Sequence, residues 1–512
     1  MGLKAAHSVC VTSHEDALTA RPWHELPADL QAELSATFRE WRAAEEAAQA
    51  CPDGARIPLT EGGHIVCANA LTTPWEDVRP PEDTDFILGN PPFLGSRIMD
   101  KGQKAELRAV AKGYQQAGFL DFVAGWYILA ARFMDKNPAV RTALVSTNSI
   151  TQGEQPGILW KRLLADGFHI NFGYRTFNWT NDAKGVAHVH CVIVGFSRVA
   201  DPHRELYSFT DLDGEPVLEL TSSINPYLVP GREYVVANRE NQVSGESRMS
   251  FGNMAADGGN LLMTREQRDE LVGREPGAAD WIKPFVGSTE FINGTERYCL
   301  WLEGITAGQL RSMPAAYARV QATKVEREKS ARPQLAATPH LFAQITQSPR
   351  ESFLLVPSVS SQRRRYVPMG FFEPGTVASN LVLTIQHAIL YHFGILTSQM
   401  HMDWLRLVGG RLKSDYRYSK DIVYNNFVFP AVSDEQRTKV EQLAQAVLDA
   451  RTAHPGDTLA DLYDDVAMPV DLRAAHSALD RHVDNLYRSE PFEGERDRGA
   501  YLLALHEAVA QN

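Results

Sequence analysis

Apolar residues recur every three to four positions through LQAELSATFREWRAAEEAAQA (30–50), among strong helix formers, and this predicts a helix. Beyond it the pattern shortens. HIVCANAL (64–71) and DFILGN (85–90) are compact apolar runs and predict two strands, the second a buried one. QKAELRAVAKGY (103–114) and DFVAGWYILAARFMD (121–135) read as helices, and RTALVSTNS (141–149) as a buried strand. GILWKRLLADG (157–167) reads as a helix ending at Gly167, followed by strands at FHINFGYRTF (168–177) and HVHCVIVGFS (188–197). Strand–helix alternation predicts a parallel α/β sheet. The two consecutive strands at its end predict an antiparallel hairpin on the sheet edge.

From about 200 to 430 strand-like pieces mix with Pro and Gly clusters, aromatics and basic residues. After Pro430 the chain reads helical, and Ser433 with Gln436 three residues on has the form of a capping box. The expected organisation is an N-terminal helical segment over 1–55, an α/β domain over 56–200, a mixed α+β domain over 201–430 and a helical domain over 431–512.

Composition narrows the class only slightly. With 512 residues, 44% hydrophobic and 22% charged, the chain is an ordinary globular sequence of more than one domain. Five cysteines, Cys10, Cys51, Cys67, Cys191 and Cys299, form no CxxC pair, so neither a disulfide framework nor a zinc site is expected. No run of 18 apolar residues and no signal-peptide pattern occur, so the expectation is a cytoplasmic protein with no membrane association and no metal. The net charge of -12 argues at first against nucleic acid. Residues 431–512, however, hold 16 Asp+Glu against 8 Lys+Arg, leaving -8 in this one segment. Elsewhere the sequence has compact basic spots, and local patches matter more than the total for phosphate binding.

The stretch DFILGNPPFLGS (85–96) carries the clearest chemistry. An apolar run ends in Gly89, then Asn90-Pro91-Pro92-Phe93 follows, and two successive prolines fix two φ angles. The exocyclic amine of adenine is a poor nucleophile because its lone pair is delocalised into the ring. Two acceptors aimed at its two N–H bonds localise that pair. The Asn90 side-chain oxygen and the Pro91 carbonyl supply them, and Phe93 offers a face on which an extruded base can stack. The bland alternative is a strand-ending turn, since Asn-Pro is common turn chemistry.

This stretch resembles the catalytic motif of S-adenosylmethionine-dependent amino-methyltransferases, chiefly the adenine-N6 DNA enzymes. The wider chain resembles the methylase and target-recognition portions of the MmeI-like (type IIL) fused restriction–modification enzymes. The stretches that carry this are IVCANALTTPWEDV, GNPPFLGS, TALVSTNSITQGEQ, YRTFNWTNDAKGVAHVHCVIVGF and FGILTSQMHMDWLRLVGGRLKSDYRYSKDIVYNNFVFP. The resemblance implies a site-specific adenine-N6 DNA methyltransferase with a Rossmann-like sheet. It makes Asn90, Pro91, Pro92 and Phe93 the catalytic loop, and Asn69, Ala70 and Leu71 neighbours of the cofactor. Phe177 and Trp179 would stack on the extruded base, and Asp121 and Asn148 would lie around the same pocket. The glycine-rich cofactor loop of the type D-x-A-C-G-S-G has no match in residues 1–89. The expectation is therefore the rear part of a longer enzyme, with a sheet incomplete at its N-terminus and weak cofactor binding by this chain alone. A separate chain supplying the glycine-rich loop and an endonuclease would complete it. The alternative is a catalytically inactive DNA-recognition remnant or one half of a split enzyme. A protein-glutamine or RNA-base methyltransferase would use a similar loop but leaves residues 350–430 unexplained.

Double-stranded DNA is the expected partner. PSVSSQRRRYVPMGFF (357–372) and GGRLKSDYRYSK (409–420) interleave basic and aromatic residues. Arg363, Arg364, Arg365, Arg411, Lys413 and Arg417 are the expected DNA contacts, because arginine bridges phosphates and reads guanine bidentately. An apolar helix between them, VLTIQHAILYHFGIL, is expected to fix both stretches on one scaffold.

Overall fold

The computed structural model describes residues 66–179, 189–209, 214–412 and 414–510, with Trp179 and Val189 described by their backbone alone. The predicted helix at 30–50 and the residue Lys413 lie outside these ranges. The chain divides into two compact units, Met1–Thr151 with Ile158–Val235, and Gln152–Gly157 with Val236–Asn512.

The first unit is built on a six-stranded sheet. Its strands are β1 (Phe86–Gly89), β2 (Arg141–Thr147), β3 (His169–Trp179), β4 (Val189–Ser197), β5 (Arg204–Phe209) and β6 (Pro216–Thr221), in the order β1-β2-β4-β3-β5-β6. Helices α1 (Lys101–Val110), α2 (Ala124–Met134) and α3 (Glu154–Ala165) intervene between the first three strands. The alternation β1–helices–β2 gives the expected parallel pair. The sheet as a whole is mixed, because β4 runs antiparallel to both β2 and β3. The β3–β4 hairpin is therefore interior rather than at the edge. β5 pairs with β3 in parallel and β6 closes the sheet, so the sheet continues past the compositional change near 200.

One sheet face is dry. Tyr127 of α2 stacks on Phe196 of β4, Trp160 of α3 meets both rings edge-on, and the Tyr127 hydroxyl lies 2.8 Å from Ser146 Oγ. β1 departs from the expected buried strand. Among the described strands it is an outermost one, with Phe86 and Leu88 62% and 47% exposed and Ile87 alone packed inward. Its apolar run looks buried in sequence because that pattern does not record which neighbours a strand has. HIVCANAL is not a strand over its described part. Asn69 ends it in a turn, its Oδ1 accepting the Leu71 amide at 3.0 Å, which is the local competition Asn offers to a strand ladder.

The second unit holds three small sheets. One runs β14 (Val377–Ala378), β9 (Ile282–Val286), β10 (Tyr298–Leu300), β8 (Leu262–Met263). Another runs β13 (Gly370–Phe372), β11 (Phe353–Pro357), β15 (Val382–Gln386), β7 (Met249–Phe251). The third is β12 (Val359–Ser360), β17 (Asp415–Arg417), β16 (Gly410–Leu412). The helices used below are α4 (Pro314–Lys329), α5 (Leu390–Leu396), α6 (Gln399–Val408), α7 (Asp434–Thr452), α8 (Val470–Tyr487) and α9 (Glu495–Ala510). VLTIQHAILYHFGIL is thus not one helix. VLTIQ is the buried strand β15, rich in β-branched residues, and a left-handed His387 (φ 56°) turns the chain into α5. The capping box at α7 forms as its sequence predicts, with Gln436 N on Ser433 Oγ at 3.2 Å and Ser433 N on Gln436 Oε1 at 2.9 Å.

Candidate functional site

The loop after β1 is held at four places. Pro91 and Pro92 are buried. The Leu94 carbonyl accepts the Phe122 amide at 2.9 Å, and the Ser96 amide donates to Asp121 Oδ1 at 2.8 Å. Met99 is sunk in the core before the capped start of α1. Two acceptors are left at the tip. Asn90 is exposed, and neither its side-chain amide nor the Pro91 carbonyl has a hydrogen-bond partner among the described residues. Phe93 is half-buried beside them.

This tip sits at the carboxyl end of two parallel strands, where open α/β sheets bind ligands. Register places the other expected residues on the same end. Thr147 pairs with Cys191, and Cys191 with Phe177, so the end of β3 lies level with the end of β2. Three strand spacings separate β1 from β3, about 14 Å. Phe177 is half-buried and rests on Phe209, ring centroids 5.4 Å apart. Burial pushes the Cys191 thiol up to about 11, so it carries no thiolate character here. Asn148 is half-buried just past β2, in the 3₁₀ turn Asn148–Thr151.

The three residues expected beside the cofactor separate into two kinds. Asn69 is exposed. Ala70 and Leu71 are core residues: Leu71 lies against Gly125, where a Cβ would come within 2.8 Å of its Cδ2, and the Ala70 carbonyl accepts Trp75 Nε1 at 2.9 Å. Two residues the sequence does not single out complete the surroundings of the loop, Ser96 and Ser149. Asp121 links them, and no local pattern marks such a long-range link.

In the second unit the two basic stretches come together. Val359 pairs with Arg417 and Ser360 with Tyr416, while the Tyr418 amide donates to the Ser358 carbonyl at 2.9 Å. Arg363 and Arg365 are exposed. Arg364 turns inward; its Nε is buried without a partner among the described residues, and burial lowers its pKa. Arg411 stacks on the Tyr416 ring at 4.1 Å, and Arg406, which the sequence does not mark, donates to the Tyr416 hydroxyl at 3.2 Å. Arg417 is half-buried. The acidic C-terminal helices pack on this region rather than standing apart. Tyr366 OH donates to Asp480 Oδ2 at 2.6 Å, and Arg498 joins Asp403 and Asp484 at 3.1 and 2.6 Å. No helix among the described residues is long and apolar enough to cross a membrane.

Comparison with known proteins places these units. The family models for the MmeI DNA-methyltransferase domain, target recognition domain and C-terminal domain match residues 25–208, 230–431 and 432–512. The first match begins inside the N-terminal segment 1–55. DNA methyltransferase A of Bacillus subtilis (strain 168) is 39% identical over 460 residues, 89% of this chain and 51% of that protein. The type IIL restriction-modification enzyme MmeI, solved in complex with DNA, is 42% identical with a TM-score of 0.83, over 89% of this chain and 61% of that one. The chain thus spans about half the length of the curated relative it matches. The chain belongs to the MmeI family and carries that family's methyltransferase, target-recognition and C-terminal domains.

Proposed function

We propose that this chain transfers a methyl group from S-adenosylmethionine to adenine N6 at specific sites in duplex DNA, as part of a restriction–modification or related phage-defence system. One observation carries the reading: two adjacent acceptors, the Asn90 amide oxygen and the Pro91 carbonyl, have no hydrogen-bond partner among the described residues, on a loop otherwise fastened to the core. An adenine amine seated there offers one N–H to each. Its nitrogen lone pair is then freed to attack, and the proton it must shed lies already against an acceptor. Extrusion of the base from the duplex is required, because the amine is unreachable in the stack. Phe93, and Phe177 across the sheet end, are the rings against which the base would rest.

S-adenosylmethionine supplies an electrophilic methyl group on a sulfonium. Of the residues expected beside it, exposed Asn69 is the one that would hold it, while Ala70 and Leu71, both buried, would contribute only by packing beneath the Asn69 turn. Sequence choice falls to the sheet that unites Ser358–Ser360 with Arg411–Arg417. The deciding experiment is transfer of labelled methyl from saturating S-adenosylmethionine into duplex DNA, followed by digestion to nucleosides. Label in N6-methyl-2′-deoxyadenosine supports the reading; label in a methyl-2′-deoxycytidine overturns it.

A second reading has its own observation. Residues 1–89 contain no D-x-A-C-G-S-G run, so recognition without catalysis, or catalysis only with a separate chain that supplies this loop, is the competing outcome. DNA binding with no incorporation at saturating cofactor would favour it.

A further inference from the structure

The loop that carries Asn90 is tied to the neighbouring strand by a side chain that the methyl-transfer chemistry does not use. Asp121 stands just before α2 and is 8% exposed. Its Oδ1 accepts the Ser96 amide at 2.8 Å, and its Oδ2 accepts the Ser149 hydroxyl at 2.5 Å. Ser149 follows β2, and its Oγ lies 2.7 Å from Thr147 Oγ1. One residue on, the Phe122 amide holds the Leu94 carbonyl. A single buried carboxylate therefore spans the catalytic loop and the end of the adjacent strand. Ionised acceptors bind such donors roughly twice as strongly as neutral ones, and burial strengthens the link.

We propose that Asp121 is a positioning residue. It fixes the height of the Asn90–Phe93 loop against the end of β2, acting through Ser96 and Ser149, and so sets where the two amine acceptors stand. It moves no proton and touches no substrate. The geometry it controls is demanding, because a displacement of about 1 Å in a reacting arrangement can cost about 100-fold in rate. The kinetic part of this inference rests on the methyl-transfer reading; the mechanical part does not.

Two measurements on the full chain test it. In hydrogen–deuterium exchange, Asp121→Ala is expected to speed exchange of the peptide over 93–99 about tenfold, with α2 unchanged and Asp121→Asn in between. In steady-state transfer at saturating cofactor, Asp121→Ala is expected to lower kcat about 100-fold at unchanged KM for DNA, with partial rescue by Asp121→Asn. Should Asp121→Ala fail to fold, Ser149→Ala cuts the other end of the bridge without touching the carboxylate and should shift both readouts the same way by less. Unchanged exchange in the loop overturns the link. Faster exchange with unchanged kcat overturns the positioning role. A wild-type chain that transfers nothing would sink the methyl-transfer reading, and the exchange result would then decide the link by itself.

Discussion

Val359 pairs with Arg417 in an antiparallel ladder, so two basic stretches far apart in sequence share one small sheet. This arrangement separates the arginines by what holds them. Arg363 is exposed, whereas Arg411 is fixed on the Tyr416 ring at 4.1 Å. A free arginine suits phosphate and a fixed one suits a base edge. Arg363→Ala should weaken binding to all sequences alike and lower the salt slope by about one. Arg411→Ala should relax preference at one position at a cost of about 1–3 kcal/mol. Binding to a randomised duplex library at several salt concentrations distinguishes them. Both variants matching wild type in affinity and preference would move the recognition site elsewhere.

Arg327 on α4 is buried and spends its guanidinium on main chain: it donates to the carbonyls of Ala255, Ala256, Leu335, Thr338 and Leu341. Lysine has three donors and no fork, so Arg327→Lys strands several of these carbonyls and buries a point charge. The expected cost is about 3–5 kcal/mol, the range for breaking a buried charged network. Urea unfolding of the two proteins measures it, and a loss under about 1 kcal/mol would contradict the role.

Burial pushes the Asp480 carboxyl up to about 6, even though Tyr366 OH and the Gln399 amide favour its charged form. A carboxylate whose folded pKa is raised costs stability at neutral pH. That cost falls away as pH drops through about 6 toward the ordinary Asp value. The shift is worth about 3 kcal/mol at pH 7. Asp480→Asn, which never ionises, should melt higher than wild type at neutral pH, and the gap should close by about pH 4. A gap that stays constant or widens on acidification would contradict the burial argument.

How much of this is legible in sequence differs between elements. The Asn90–Phe93 loop is legible as a rigid turn after a strand, because its two prolines fix two φ angles; the chemistry proposed for it follows from its residue types. The capping box at Ser433 is legible because its partners lie three residues apart. VLTIQ misleads, since a strand buried on both faces has no periodicity to set it apart from a buried helix. The interior place of β4 is invisible for another reason: strand order is decided by pairing between distant segments. Asp121 can be noticed in sequence only as a helix-end acid. Its meaning lies in Ser96 and Ser149, 25 and 28 residues away.

The central claim is that Asn90 and the Pro91 carbonyl activate an adenine amine. Its most direct test compares wild type with Asn90→Ala in methyl incorporation into duplex DNA at saturating S-adenosylmethionine, with DNA affinity measured in parallel. On this reading Asn90 would hold the amine and add little to the phosphate contacts that dominate affinity. The account predicts N6-methyladenine from wild type, none from Asn90→Ala, and equal DNA binding by both. Equal incorporation by the two proteins would contradict it.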